Sequence, residues 1–160
     1  MITAAWIFWR EETRGMPLDD ARKAADAALS HTVSKLDATY ELGFVEVGHD
    51  QTRVDEKWVD RGPRAGGRTI ETCWYTSPGW VAKTDELGGA ALLETFASKV
   101  SPPFGAWAFR PLPSGPLVRS SYVSSRAETE ESVVVTVRSV DSGIEVRVVY
   151  TTVVHVGDCQ

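Results

Sequence analysis

Apolar and polar positions alternate most regularly towards the C-terminal end of the chain. Ile144, Val146, Val148, Tyr150, Thr152, Val154 and Val156 share one face, and Glu145, Arg147, Val149, Thr151, Val153 and His155 share the other. A period of two marks a strand covered on one side. Its β-branched residues, stiff at χ1, suit a pleated surface. The preceding run SVVVTVRSV has the same character, and Asp141, Ser142 and Gly143 stand between the two. Gly143 can take the positive φ that a tight turn needs. Residues 132–156 are therefore predicted to form a long antiparallel hairpin whose apolar face requires a cover.

A different period appears earlier. Leu18, Ala21, Ala25, Ala28, Leu29, Thr32, Val33, Leu36 and Tyr40 recur at three- and four-residue spacing, which predicts an amphipathic helix over residues 17–40. Pro17 suits its first turn, Asp19 and Asp20 complement the positive end of its dipole, and Gly43 is the expected stop. Alanine in the stripe permits close approach to a sheet, so this helix is the expected cover for the hairpin. A second helix is predicted after Thr84, its cap, with Asp85 and Glu86 in the first turn. Leu92, Leu93, Phe96 and Val100 give it an apolar face, and Pro102 and Pro103 end it.

Shorter patterns fill the remainder. Residues 3–10, with Trp6 and Phe8 alternating against Ile7 and Trp9, read as a strand apolar on both faces. Residues 42–47 and 53–59 read as two weaker strands joined by Gly48, His49, Asp50 and Gln51. Residues 68–75 read as a strand with Ile70, Thr72 and Trp74 on one side, after which Ser77, Pro78 and Gly79 turn the chain. Residues 104–116 read as a loop or a short edge strand, 117–124 as a strand, and 126–131 as a charged turn. Nothing repeats and no linker divides the 160 residues, so a single domain, 1–160, is expected. The order reads as α+β: an antiparallel sheet ending in a long C-terminal hairpin, with two helices packed on one face.

Charge and motifs narrow the function. A formal net charge of −5 disfavours a nucleic-acid surface, and no run of 18 apolar residues exists, so no membrane span is expected. The start, MITAAWIFWREE, lacks a basic n-region and is not read as an intact signal peptide. His31, His49 and His155 make no HExxH and no His–Cys cluster, so neither a metal nor a cofactor is expected. No GxSxG elbow is present. The loop GPRAGGR precedes a strand, lacks the phosphate-loop lysine and matches no phosphate cradle. Asp19, Asp20, Asp85 and Glu86 are explained as helix-start acids, and Glu128, Glu130 and Glu131 as a solvated turn. No catalytic residue is assigned, and a non-catalytic protein is expected.

Two features point towards binding. Cys73 and Cys159 are either two semi-buried thiols or one disulfide tying the chain end to a middle strand. Closing a loop of that length stabilises by about 4–5 kcal/mol in the chain-entropy model, and a disulfide implies an oxidising compartment. Trp58, Trp74, Tyr75, Trp80, Phe104, Trp107 and Phe109 lie in the same loop-rich regions as Arg61, Arg64, Arg68 and Arg110. Aromatics beside arginines have the composition of interface centres, although some of these rings must fill the core. The partner-contacting set is Arg61, Arg64, Arg68, Trp80, Trp107, Phe109 and Arg110.

The helix PLDDARKAADAALSHTVSKL, the central strand with Cys73, the second helix and the closing GIEVRVVYTTVVHVGDC together resemble small exported lipoproteins of high-GC actinobacteria. The resemblance covers most of the chain after Pro17 and lies in layout, with no lipid-accepting N-terminal Cys. It implies an envelope protein without known catalysis. The expectation is a binding protein of the bacterial cell envelope with a Cys73–Cys159 disulfide and an aromatic–arginine contact surface for a protein partner. The alternatives are a structural or assembly protein of a bacteriophage virion and a cytosolic immunity-type inhibitor of a basic toxin.

Overall fold

The computed structural model describes residues 14–60, 62–63, 66–84, 110–112, 118–126, 129–140 and 143–159. Helix α1 spans Leu18–Tyr40 and presents the expected stripe: Ala21, Ala25, Ala28, Leu29, Thr32 and Leu36 are buried. Leu18 and Val33 pack at its margin. Pro17 sits at the N-cap rather than in the first turn and supplies no side-chain cap. That role passes to Asp158, which accepts from the Leu18 N–H at 3.0 Å. The helix also ends earlier than Gly43. Glu41 takes the left-handed conformation (φ 51°), and its N–H donates to the Asp37 carbonyl. Gly43 follows, with its N–H on Asp37 Oδ1 at 2.8 Å. Asp37 thus supplies both a backbone and a side-chain acceptor, and a non-glycine residue bears the strained turn.

The strands are β1 (Val45–Val47), β2 (Gln51–Asp60), β3 (Gly67–Thr76), β4 (Gly79–Thr84), β5 (Arg110–Leu112), β6 (Val118–Arg126), β7 (Glu131–Val140) and β8 (Gly143–Val154). A short 3₁₀ turn, Val156–Asp158, follows. They form one antiparallel sheet in the order β1-β4-β8-β7-β6-β5, with β3 also on β8 and β2 on β3. The C-terminal hairpin is β7–β8, paired from Ser132↔Thr151 to Val140↔Gly143. Val133, Val135, Val137, Ile144, Val146, Val148, Tyr150, Thr152 and Val154 are buried on the side that α1 covers. The expected second helix and the strand at residues 3–10 fall outside the described residues. Thr84, its expected cap, is the last residue of β4.

Two expectations about this sheet are corrected. First, the chain does not turn back at Ser77–Pro78. Both β3 and β4 run antiparallel to β8 and lie end to end along its edge, from Cys73↔Val154 to Thr84↔Ile144. Between Thr76↔Thr151 and Trp80↔Val148, three residues face two, which is a bulge. Pro78 has no N–H to give a ladder and is tolerated at such a site. Ser77 closes the gap: its N–H donates to the Tyr150 carbonyl, and its Oγ accepts the Tyr150 N–H, both at 2.9 Å. β1 and β2 are broken in the same way at residues 48–50, on the outer side of the same line.

Second, the sheet is partly buried on the face away from α1 as well. Val81, Val123 and Val153 are buried on the face away from α1, by the registers Val81↔Arg147 and Val123↔Val134. Consecutive valines in β7 and β8 are the sequence mark of two-sided burial. Glu145 is buried there too, with its carboxylate held by Arg138 at 2.9 Å and Arg147 at 3.5 Å. Glu131 is likewise not solvated. It is buried and accepts from the Tyr150 hydroxyl at 2.8 Å and from Thr129. Arg14 forms an ion pair with Glu130 beside it.

Candidate functional site

β2 and the first half of β3 leave the body of the sheet as a two-stranded arm. Nearly every residue of β2 is exposed, on both faces. Val54 is 42% exposed and Trp58 65%, while Val45 and Val47 are exposed in β1 on the same edge. Among the described residues β2 pairs only with β3, so its outer backbone groups face away from the sheet. A hairpin standing alone is at best marginally stable, so the arm depends on its junction with β8. Trp58 lies over Gly67, where a Cβ would fall 2.0 Å from the indole ring, so glycine makes room for the ring near the tip. Long apolar edges are ordinarily blunted by charge. Here Arg53, Asp55, Glu56 and Lys57 set charges of both signs around Val54 and Trp58.

A polar cleft of about 290 Å³ opens where the arm meets the body, lined by Leu18, Arg22, Asp50, Gln51, Thr52, Tyr75 and Asp158. Asp50, in the break between β1 and β2, accepts from Arg22 Nε at 2.9 Å and from the Tyr75 hydroxyl. Arg22 also reaches Asp19, and these carboxylates raise its pKa, the Asp50 hydrogen bond most. Tyr75 sits edge-on to Tyr150, with ring centroids 6.4 Å apart. The cleft presents satisfied carboxylates, one half-exposed guanidinium and an apolar floor. This set is suited to holding a ring or an amide.

Burial first, and then Asp50, push the Tyr75 phenol up to about 12, and burial with the bond to Glu131 pushes Tyr150 up as well. Both folded values lie above those of the unfolded chain. Their contribution to stability is therefore complete below about pH 10 and is lost as the pH rises from there towards the folded values. Absorbance titration is expected to show Tyr75 and Tyr150 ionising late, together with unfolding. Tyr75→Phe should remove one of them. Four tyrosines titrating together near pH 10, with no late component, would contradict this account.

The expected site residues are scattered in different ways. Cys73, fully buried in β3, and Cys159 form a disulfide-distance pair, with Cα atoms 5.8 Å apart. Arg68 is half-buried on the arm, opposite Val59. Trp80 is half-buried against the core on the helix side. Arg110 is in β5, with β6, β7 and β8 between it and β4. The described residues therefore join Cys73 to Cys159 but do not gather Arg68, Trp80 and Arg110 into one patch. Arg61, Arg64, Trp107 and Phe109 fall outside the described residues. Sequence reasoning gave Val54 no role beyond its strand, and it read Asp50 only as a residue joining two strands. Only Trp58 carried a signal, as a ring flanked by charges in a strand with no apolar face.

Among the described residues no helix is long and apolar enough to cross a membrane, and no three His, Cys, Asp or Glu side chains stand together as metal ligands. No family model, curated protein or solved structure matches the chain.

Proposed function

We propose that this chain is a non-catalytic protein-binding domain of the bacterial cell envelope whose contacting element is the β2–β3 arm. The observation that carries the reading is the exposure of Val54 and Trp58 on a strand whose outer edge is unpaired among the described residues. Such an edge offers backbone donors and acceptors together with an aromatic anchor, as strand-addition interfaces do. Of the expected arginines Arg68 lies on the arm, and Arg53 stands beside Val54 there. The Cys73–Cys159 pair supports a place outside the cytoplasm, where disulfides persist.

A photoreactive phenylalanine analogue at position 58, compared with the same analogue at the exposed position of Lys23 on α1, tests the reading. Irradiation in the native host should yield a discrete protein adduct from position 58 and none from position 23. Equal labelling at both positions, or no adduct at either, would sink the arm as the contacting element.

A further inference from the structure

The arm's charges follow a rule that identifies its occupant. In a two-fold antiparallel pairing of β2 with a second copy, opposed residues must project from the same face. The residue on the axis then faces its own copy. Axes at Arg53, Asp55, Glu56 or Lys57 each place a like charge against itself. An axis at Trp58 brings Glu56 onto the copy's Asp60 twice. Axes at Gln51, Thr52 and Val59 also avoid like charges but oppose at most three residues of β2, whereas an axis at Val54 avoids them over seven. It pairs Gln51 with the copy's Lys57, Thr52 with Glu56, Arg53 with Asp55 and Val54 with Val54, and the reciprocal pairs complete seven. Opposite charges directly across a ladder stabilise it, and like charges destabilise it.

The same register accounts for two features left without a purpose. Thr52, Val54, Glu56 and Trp58 share the face that carries Tyr75 and Cys73, by the registers Thr52↔Tyr75 and Val54↔Cys73. One step beyond the paired segment, the copy's Trp58 stands opposite Asp50, at the mouth of the cleft on that face. There the indole meets the Arg22 guanidinium, a cation for its π-face, with Leu18 as an apolar neighbour and Asp50 and Asp158 as acceptors for its N–H.

We infer that the chain forms a symmetric dimer through antiparallel pairing of the β2 edges about Val54, with each Trp58 swung off its own Gly67 and seated in the other copy's Arg22–Asp50–Tyr75 cleft. This rests on the arm being the contacting element and names its partner as a second copy. Seven residue pairs and two indoles make a small interface, and the dimer is expected in the micromolar range.

Sedimentation equilibrium of the full chain, its disulfide intact, over a concentration series tests this directly. Wild type should pass from monomer to dimer. Val54→Glu, which sets two carboxylates on the axis, and Trp58→Ala should each weaken association about tenfold or more. Arg53→Asp and Asp55→Arg should each weaken it, and the double exchange R53D/D55R should restore it, a pattern that general damage to the arm does not produce. Val54→Cys should cross-link the dimer under mild oxidation, and Glu56→Cys should do so far less. A monomer at every concentration overturns the inference, as does a dimer indifferent to Val54→Glu or one cross-linked through Glu56→Cys. If the chain is monomeric while position 58 still labels a different protein, the binding reading stands and self-pairing falls. A monomer with no adduct at position 58 removes both.

Discussion

Replacing Cys159 by serine is expected to lower the unfolding free energy by about 2–5 kcal/mol. The bond closes a span of 86 residues, from the middle of β3 to the segment after β8. Opening it frees the unfolded chain to spread. It also releases Asp158, one residue earlier, from the first N–H of α1. Cys73 remains as a buried thiol and behaves there as a small apolar side chain, so no cavity forms. Urea unfolding of the variant and of wild type, with and without reductant, checks this. Reduced wild type should coincide with the variant, and both should unfold at lower urea than the oxidised protein. Identical midpoints in all three would mean that the two sulfurs are not joined in solution.

Leu36→Ala is the second large effect, about 2–5 kcal/mol. Leu36 is fully buried in the last third of α1, in the same cluster as Val146, Val148 and Tyr150. Its large side chain fills space that the alanines nearer the N-terminus of α1 leave closed by backbone approach. A neighbouring turn cannot collapse into the gap, because the sheet beneath is fixed by ladders on both sides of β8. Ala25→Leu, one of those close-approach positions, should cost about 1–3 kcal/mol through overpacking instead. Lys23→Ala, on the exposed side, should stay within about 0.5 kcal/mol of wild type. Thermal or urea unfolding of the three variants separates these cases. A Leu36→Ala protein as stable as Lys23→Ala would show that α1 is not the cover of the sheet.

These same residues show what was legible beforehand. The stripe from Ala21 to Leu36 and the alternation from Ile144 to Val154 each repeat one geometric period many times, so helix and hairpin emerge from the sequence alone. Where a single local residue decided the outcome, the reading failed. Ser77–Pro78–Gly79 has turn composition, yet a serine hydroxyl can replace one ladder acceptor and let the strand run on as a bulge. Glu131 reads as a solvated acid and Asp50 as a plain joining residue because their partners, Tyr150, Arg22 and Tyr75, are remote in sequence. Gly43 looked like the helix stop because glycine has the least strain there, but Asp37 holds Glu41 in the turn two residues sooner. The arm was the hardest feature to read. β2 shows no apolar face because neither of its faces is covered, and a strand without a buried side leaves only weak periodicity.

The link between Cys159 and Cys73 also decides how the domain carries load. A strand end held only by its ladder peels away one hydrogen-bonded pair at a time when pulled. Here tension applied beyond Cys159 passes through the sulfurs to Cys73, which lies between Val54 on one side and Val154 on the other. The pull reaches the interior of the sheet and must shear several ladder pairs together. The C-terminal end is thus a tow point fixed to an interior strand of the sheet.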